Sequence, residues 1–236
     1  MKKYTCLIFD ADHTLLNYLA DERAAFSALY DELGMQKTDE LMAFSRRASE
    51  ETWTEAGMYD VHDQKVQERY HAVYRSHVEE VFKKIFESFP CPIAISPKAA
   101  GEKLLKYLER ESLLFPQVKE TLQALSKRYK IAVATNGLSA VQRGRLRGLE
   151  QYADGVFISE EMGVIKPLPA FFDKICADLG VKKEACLMIG DSLLSDIAGA
   201  IFAEMDSCWY NPAGEPNTTA YKPTYEIQRL SELFGL

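Results

Sequence analysis

The chain has no long apolar run. No segment approaches the roughly 20 residues needed to cross a bilayer, so the sequence predicts no membrane span. It also lacks paired cysteines. The five cysteines, at 6, 91, 176, 186 and 208, are odd in number and show no C-x-x-C spacing, which fits a reduced, cytoplasmic setting. Positive charge is short as well. A net charge of −7 argues against non-specific nucleic-acid binding and against docking on anionic lipid. Lys2 and Lys3 precede a short apolar run, but Asp10 ends it too early for a signal peptide and no small-residue cleavage site follows. There is no internal repeat and no low-complexity tract. What remains is 236 residues with 47% apolar and 27% charged content, the balance of a globular protein built as one large domain or as a core with a smaller insertion.

The most informative stretch is Tyr4-Thr5-Cys6-Leu7-Ile8-Phe9-Asp10-Ala11-Asp12-His13-Thr14-Leu15-Leu16. Its continuous apolar run predicts a strand covered on both faces, as in a parallel sheet, whose ligand site lies beyond the carboxyl ends of the strands. Asp10 and Asp12 fall at that end. If strand geometry persists, residues two apart project the same way and two carboxylates crowd one volume. Crowded carboxylates need a cation, a shared proton or a strong donor. Oxygen donors with no histidine or thiolate among them suit magnesium better than zinc.

From 17 to 111 the apolar residues recur at three and four, predicting a helical insertion. Phe26, Leu29, Tyr30 and Leu33 form one stripe, closed by Gly34; Leu41, Phe44 and Ala48 suggest a helix running to Trp53 and broken near Gly57. Tyr70, Val73, Tyr74, Val78, Val81 and Phe82 form another, and Ser96-Pro97 is a helix start followed by Leu104, Leu105 and Leu108. These aromatic stripes read as the insertion's own core. Trp53, Tyr59 and His62, near the break, are candidates to face a substrate.

Beyond 111 the pattern alternates. Predicted strands at 131–134, 155–159, 185–189 and 206–210 are separated by helices, one opened by Pro116, one through Leu146 and Leu149, and one over 170–179. This predicts a doubly wound parallel α/β sheet with right-handed crossovers, with 1–16 and 112–236 as its core domain and 17–111 as a helical domain inserted after the first strand.

Polar residues gather at the strand ends. Thr135-Asn136-Gly137 offers a hydroxyl, an amide and a turn whose backbone N–H groups can face an oxyanion. Lys166 before Pro167 is held extended, and Asp191-Ser192, with Asp196 a turn later, can complete a metal site begun by Asp10. Taken singly, each has a plainer role: Asp191 as a helix N-cap, Thr-Asn-Gly as an ordinary turn, Lys166 as a solvated cation. Arg143, Arg145 and Arg147 read as a solvated helix face.

Taken together, the motifs resemble the haloacid dehalogenase-like hydrolase superfamily: Asp10-Ala-Asp12-His-Thr14 its first motif, Thr135-Asn136-Gly137 its second, Lys166-Pro167 its third, Gly190-Asp191-Ser192 with Asp196 its fourth. The insertion lies where the family's helical C1 cap belongs. His13 stands where the family most often has glycine, and is read as a local packing or turn residue; Leu168 stands where an aspartate commonly follows Lys-Pro. Within the family, Asp-Ala-Asp-x-Thr, Thr-Asn-Gly and Trp209-Tyr210-Asn211-Pro212 resemble the pyrimidine 5′-nucleotidases of the YjjG type.

The resemblance implies a phosphomonoesterase. Asp10 is the expected nucleophile, forming an aspartyl-phosphate, and Asp12 the expected acid, then base. Mg2+ is expected on Asp10, the backbone carbonyl of Asp12 and Asp191. Thr135 and the Asn136 backbone are expected to bind the phosphoryl group, and Lys166 to neutralise it and the nucleophile. Asp196 is expected to orient Lys166 or a metal-bound water, with Thr14 likewise in support. The expected substrate is a nucleoside monophosphate; alternatives are phosphoglycolate, a sugar phosphate, a phosphomutase reaction, or non-catalytic binding of a phosphorylated ligand. A dehalogenase needs neither Asp12 nor magnesium. No nucleic acid or membrane partner is expected, and the chain is expected as a monomer or homodimer.

Overall fold

A computed structural model describes residues 4–235; Lys2 and Lys3 lie outside the described residues. Strand β1 (Cys6–Phe9) is followed by four helices, α1 (Tyr18–Glu32), α2 (Asp39–Glu55), α3 (Gln64–Ser88) and α4 (Pro97–Leu108). The remainder alternates: α5 (Val118–Leu125), β2 (Lys130–Thr135), α6 (Ser139–Leu146), β3 (Gly155–Ile158), α7 (Ser159–Met162), α8 (Pro169–Leu179) and β4 (Cys186–Gly190). A π-helical turn, Leu193–Ile197, leads into α9 (Ala198–Phe202), then β5 (Asp206–Tyr210) and β6 (Tyr225–Ile227).

All six strands are parallel, in the order β3-β2-β1-β4-β5-β6. β1 is central because it is apolar on both sides: Leu7 and Phe9 face a core with Leu122, Leu125, Ile131, Val133 and Ile189, whereas Cys6 and Ile8 face Phe171, Phe172, Ile175 and Met188. Alternation within a wholly apolar strand thus supplies two cores. The strand order reverses beside β1, where Phe9 is level with both Val133 and Ile189. This is the switch point at which open parallel sheets bind ligands. The predicted strands are present; β6, a three-residue edge strand, is an addition to them.

The insertion is built from the predicted caps at Ser96-Pro97 and Gly34, to which Thr38 adds one. Ser96 accepts the N–H of Ala99 at 3.2 Å with Pro97 opening α4, Thr38 accepts that of Leu41 at 3.1 Å, and Gly34 leaves α1 at φ +66°. Phe26, Leu29, Tyr30, Phe82, Ile85 and Leu104 form its core, joined by Leu138 and Val141 near α6. The chain leaves and returns side by side: Asn17 N–H donates to Leu113 O at 2.8 Å and Phe115 N–H to Leu15 O at 3.1 Å. Among the described residues no helix is long and apolar enough to cross a membrane.

Candidate active site

Lys166 is the centre of the site, and it is buried. Its ammonium donates to Asp10 Oδ1 at 2.5 Å, Asp196 Oδ1 at 2.7 Å and Ala134 O at 2.8 Å, which satisfies all its donors. Burial works against its charge, but Asp10 and Asp196 outweigh burial and hold its pKa above the usual lysine range. Asn136 fixes its backbone: the side-chain amide accepts from Lys166 N at 2.9 Å and donates to Lys166 O at 2.9 Å. Of Asn136, then, only the main chain remains for the phosphoryl role expected of it.

Asp10, Asp191 and Asp196 converge, with one oxygen from each within 4.8 Å of the others. Asp196 is fully committed: besides Lys166, its Oδ2 accepts Ser192 N–H at 3.0 Å. Gly190 makes room for it, since a Cβ there would collide with the Asp196 carboxyl group. The Asp191 side chain accepts the Thr14 hydroxyl at 3.3 Å, while Trp209 Nε1 holds its carbonyl at 2.9 Å. Burial and the neighbouring Asp196 push Asp191 up to about 7. Burial likewise raises Asp10, with Lys166 opposing and the other two acids reinforcing the rise. Three acids therefore share one ammonium, and the surplus negative charge falls on Asp10 and Asp191. An all-oxygen pair in that condition fits a hard divalent cation such as Mg2+.

The plainer single-residue readings of Asp191 and Lys166 fail, and Gly137 does not supply the donor expected of it. Asp191 is not the helix N-cap; Ser192 is, accepting Ser195 N–H at 3.1 Å. Lys166 is not solvated. Gly137 has no positive φ, and its N–H donates to Ser159 Oγ at 3.0 Å, so it offers no second donor for an oxyanion. It is small for another reason, because a Cβ would lie 3.0 Å from Cγ of Gln142. His13, at φ +62°, occupies the left-handed turn that glycine favours, and it is exposed on the cavity wall.

Arg145 is the largest departure. Expected on a solvated face, it is 1% exposed and binds Asp12 on one side and Asp21 on the other. Gln142 sits beside it, donating to Asp12 Oδ2 at 2.9 Å and to Thr135 Oγ1 at 2.6 Å, which leaves the Thr135 O–H to point at the cavity. A signal for both was present. Leu138, Val141, Gln142, Arg145, Leu146 and Leu149 form one unbroken three-and-four stripe, and all are buried. Arg143 is half solvated and pairs with Glu161 at 2.6 Å.

A cavity of about 370 Å³ opens above these groups. Asp10, Asp12, Thr135, Asn136, Lys166 and Asp191 form its floor; Tyr18, Trp53, Tyr70, Tyr74 and His77 line its walls. Tyr70 and Tyr74 were expected inside the insertion's core, yet they also face this space. α3 is amphipathic in a second sense, with Val78, Phe82 and Ile85 packing inward and the tyrosines turned to the sheet side. Farther out Arg46 donates to Glu22 at 3.0 Å. Of the break-region candidates Trp53 and Tyr59 line the cavity, whereas His62 does not; it stacks on Tyr221 at 5.7 Å and reaches Leu194 O at 3.0 Å.

A buried Lys-Asp-Asp cluster at the switch point of a parallel sheet, with a helical insertion over it, defines a hydrolase class. The family model of haloacid dehalogenase-like hydrolases matches residues 4–203, and the chain belongs to that family. It is 32% identical to the pyrimidine 5′-nucleotidase PynA of Streptococcus pneumoniae over 98% of this chain and 93% of that one. With the pyrimidine 5′-nucleotidase YjjG of Escherichia coli it shares 34% over 63% of this chain and 67% of the other. The crystal structure of YfnB from Bacillus subtilis, by name a HAD-hydrolase and bound to magnesium, superposes with a TM-score of 0.81 at 28% identity, covering 99% of this chain and 98% of that one.

Proposed function

We propose that this hydrolase is a magnesium-dependent phosphomonoesterase that works through an aspartyl-phosphate on Asp10, and that its substrates are pyrimidine nucleoside 5′-monophosphates. The observation that carries the chemistry is the bond from Lys166 Nζ to Asp10 Oδ1, with the Asp191 carboxyl group alongside, where burial and Asp196 disfavour its charge. Lys166 holds one oxygen of Asp10 and leaves the other for attack on phosphorus. Asp10, Asp191 and the backbone carbonyl of Asp12 would hold the ion, whose charge, when bound, lets an anionic carboxylate meet an anionic ester. Thr135 and the Asn136 main chain bind the phosphoryl oxygens. Asp12, across the cavity floor, protonates the leaving 5′-oxygen and then takes a proton from water as the intermediate is hydrolysed. Asp196 keeps Lys166 aimed. Residues 17–111 act as a cap whose side of the cavity receives the leaving group and excludes bulk water.

The nucleoside reading draws on the cavity walls and on the names of PynA and YjjG. Tyr18, Trp53, Tyr70 and Tyr74 offer ring faces and edges to a base, and Glu22 and Arg46 offer an acceptor and a donor beyond them. Phosphate release with Mg2+ from UMP, dUMP, dTMP, AMP, IMP, phosphoglycolate and sugar phosphates tests it. Preference for the pyrimidine nucleotides is expected. Turnover of phosphoglycolate or sugar phosphates alone would keep the chemistry and overturn the substrate class, and no turnover of any ester would overturn both.

A further inference from the structure

Asp12, like Asp191, is an acid on the cavity floor that Lys166 does not touch. Its carboxylate is gripped from behind: Arg145 Nη1 donates to Oδ1 and Gln142 Nε2 to Oδ2, the latter at 2.9 Å. An ionised carboxylate has about four lone-pair sites, so one on each oxygen is occupied and one on each remains. The Asp12 side chain is 24% exposed, and it faces the cavity. The grip thus fixes the plane of the carboxyl group and leaves its cavity side open to carry a proton.

Arg145 is itself held from elsewhere. Nη1 also donates to Gln142 Oε1 at 3.0 Å, which locks the two gripping side chains together. Nε and Nη2 donate to Asp21 Oδ2 at 3.2 and 2.9 Å, and the guanidinium lies over the Tyr18 ring at 5.2 Å. Asp21 and Tyr18 belong to the first turn of α1, where the insertion begins. The other oxygen of Asp21 accepts Leu113 N–H at 2.9 Å, and the Ser112 hydroxyl also binds Asp21, both where the insertion ends. One buried arginine therefore connects Asp12 to both connections between insertion and sheet.

We infer that Arg145 is a positioning residue for Asp12, set by Asp21, so that the acid–base group is aligned from the hinge of the insertion as well as from the core. This rests on the phosphomonoesterase reading. A planar, five-donor side chain is required, because it must address two carboxylates and an amide oxygen at once. A lysine reaches one of them and leaves the others without a partner.

The test compares two esters with the magnesium-loaded protein. UMP loses an alkoxide that must be protonated, whereas p-nitrophenyl phosphate loses a nitrophenolate that leaves without a proton. Both report through kcat/KM, which ends at the first irreversible step. For Arg145→Met, kcat/KM on UMP is expected to fall by about 10²-fold, through kcat rather than KM, the range typical of acid–base groups. On the aryl ester the change is expected to stay within a factor of about three, and Arg145→Lys is expected to recover part of the UMP loss. Asp21→Asn is expected to fall in the same direction by less, and it decides the matter if Arg145→Met does not fold. Equal losses on both esters, or no loss on either, would overturn the inference. Wild-type protein that turns over the aryl ester but not UMP removes the nucleotide assignment, and the comparison then runs on whichever alkyl ester the protein hydrolyses. Wild-type protein that turns over neither ester nor any other alkyl monoester overturns the phosphomonoesterase reading, and the role of Arg145 falls with it.

Discussion

At the scale of single residues, the site is a problem of surplus charge. Lys166 pairs with two of the acids around it, its single charge short of their two, and Asp191 accepts the Thr14 hydroxyl. Without a metal, burial and Asp196 raise Asp191 from 3.8 to about 7. The sign follows directly. Below about pH 4 native and unfolded chains both hold this proton; as pH rises towards 7 the unfolded chain releases it first, so the contribution of Asp191 to stability becomes unfavourable and stays so above. Asp191→Asn should therefore stabilise the metal-free protein more at about pH 8 than at about pH 5, and saturating Mg2+ should remove that advantage by stabilising the wild type alone. Denaturant midpoints at the two pH values, with chelator and with magnesium, check both. Lys166→Met strands two buried acids and should cost about 3–5 kcal/mol together with all turnover, which urea unfolding measures. Asp10, Asp12, Lys166 and Asp191 were legible in the sequence because each follows or faces a strand end in a local motif. Gln142 and Arg145 were not, because their polarity was given more weight than their phase on the α6 stripe, although two buried polar groups that satisfy each other are at home there.

At the scale of elements, the strand ends of β1, β2 and β4, with the segment before α8 that carries Lys166, put the floor residues in reach of one another, and small residues keep the turns tight. Gly190 is the clearest case. Its missing Cβ is where the Asp196 carboxyl group lies, and Asp196 is pinned by Lys166 and by Ser192 N–H, so it has no rotamer to retreat to. Gly190→Ala should cost about 1–3 kcal/mol by overpacking and lower activity with it; a thermal melt beside a kinetic assay would show both, and a variant with wild-type values would contradict the packing described. The predicted strands and helices were readable from short continuous apolar runs against a period of three to four. β6 was not, since a three-residue edge strand carrying Tyr225, Glu226 and Ile227 has too little pattern to stand out. The π-turn at Leu193–Ile197 was equally hidden, being set by the Ser192 cap and the Asp196 carboxylate rather than by propensity.

At the scale of the whole molecule, the proposed function gives the chemistry to the sheet and the enclosure to the insertion. Polar contacts between the two around the cavity include His71 with Ser159 at 2.8 Å, His62 with Leu194 O at 3.0 Å, Arg75 with Glu160, and Arg145 with Asp21. The sequence indicated a helical insertion but not which face it turns inward, because an aromatic stripe reads the same whether it packs on a neighbour or lines a cavity. If the ring-lined walls bind the nucleoside, Trp53→Ala should raise KM for UMP by about 10-fold. The same variant should leave p-nitrophenyl phosphate little changed, as steady-state kinetics on the two esters would show.

The proposed mechanism depends on Asp10 taking the phosphoryl group, and that step can be observed directly. Mixing the magnesium-loaded protein with UMP and quenching into borohydride reduces an acyl phosphate to homoserine, which peptide mass spectrometry locates. Homoserine at position 10, absent without substrate and absent when chelator replaces magnesium, is the expected result. Phosphate release with Asp10 unmodified would mean that water attacks the ester directly, and would contradict the account at its centre.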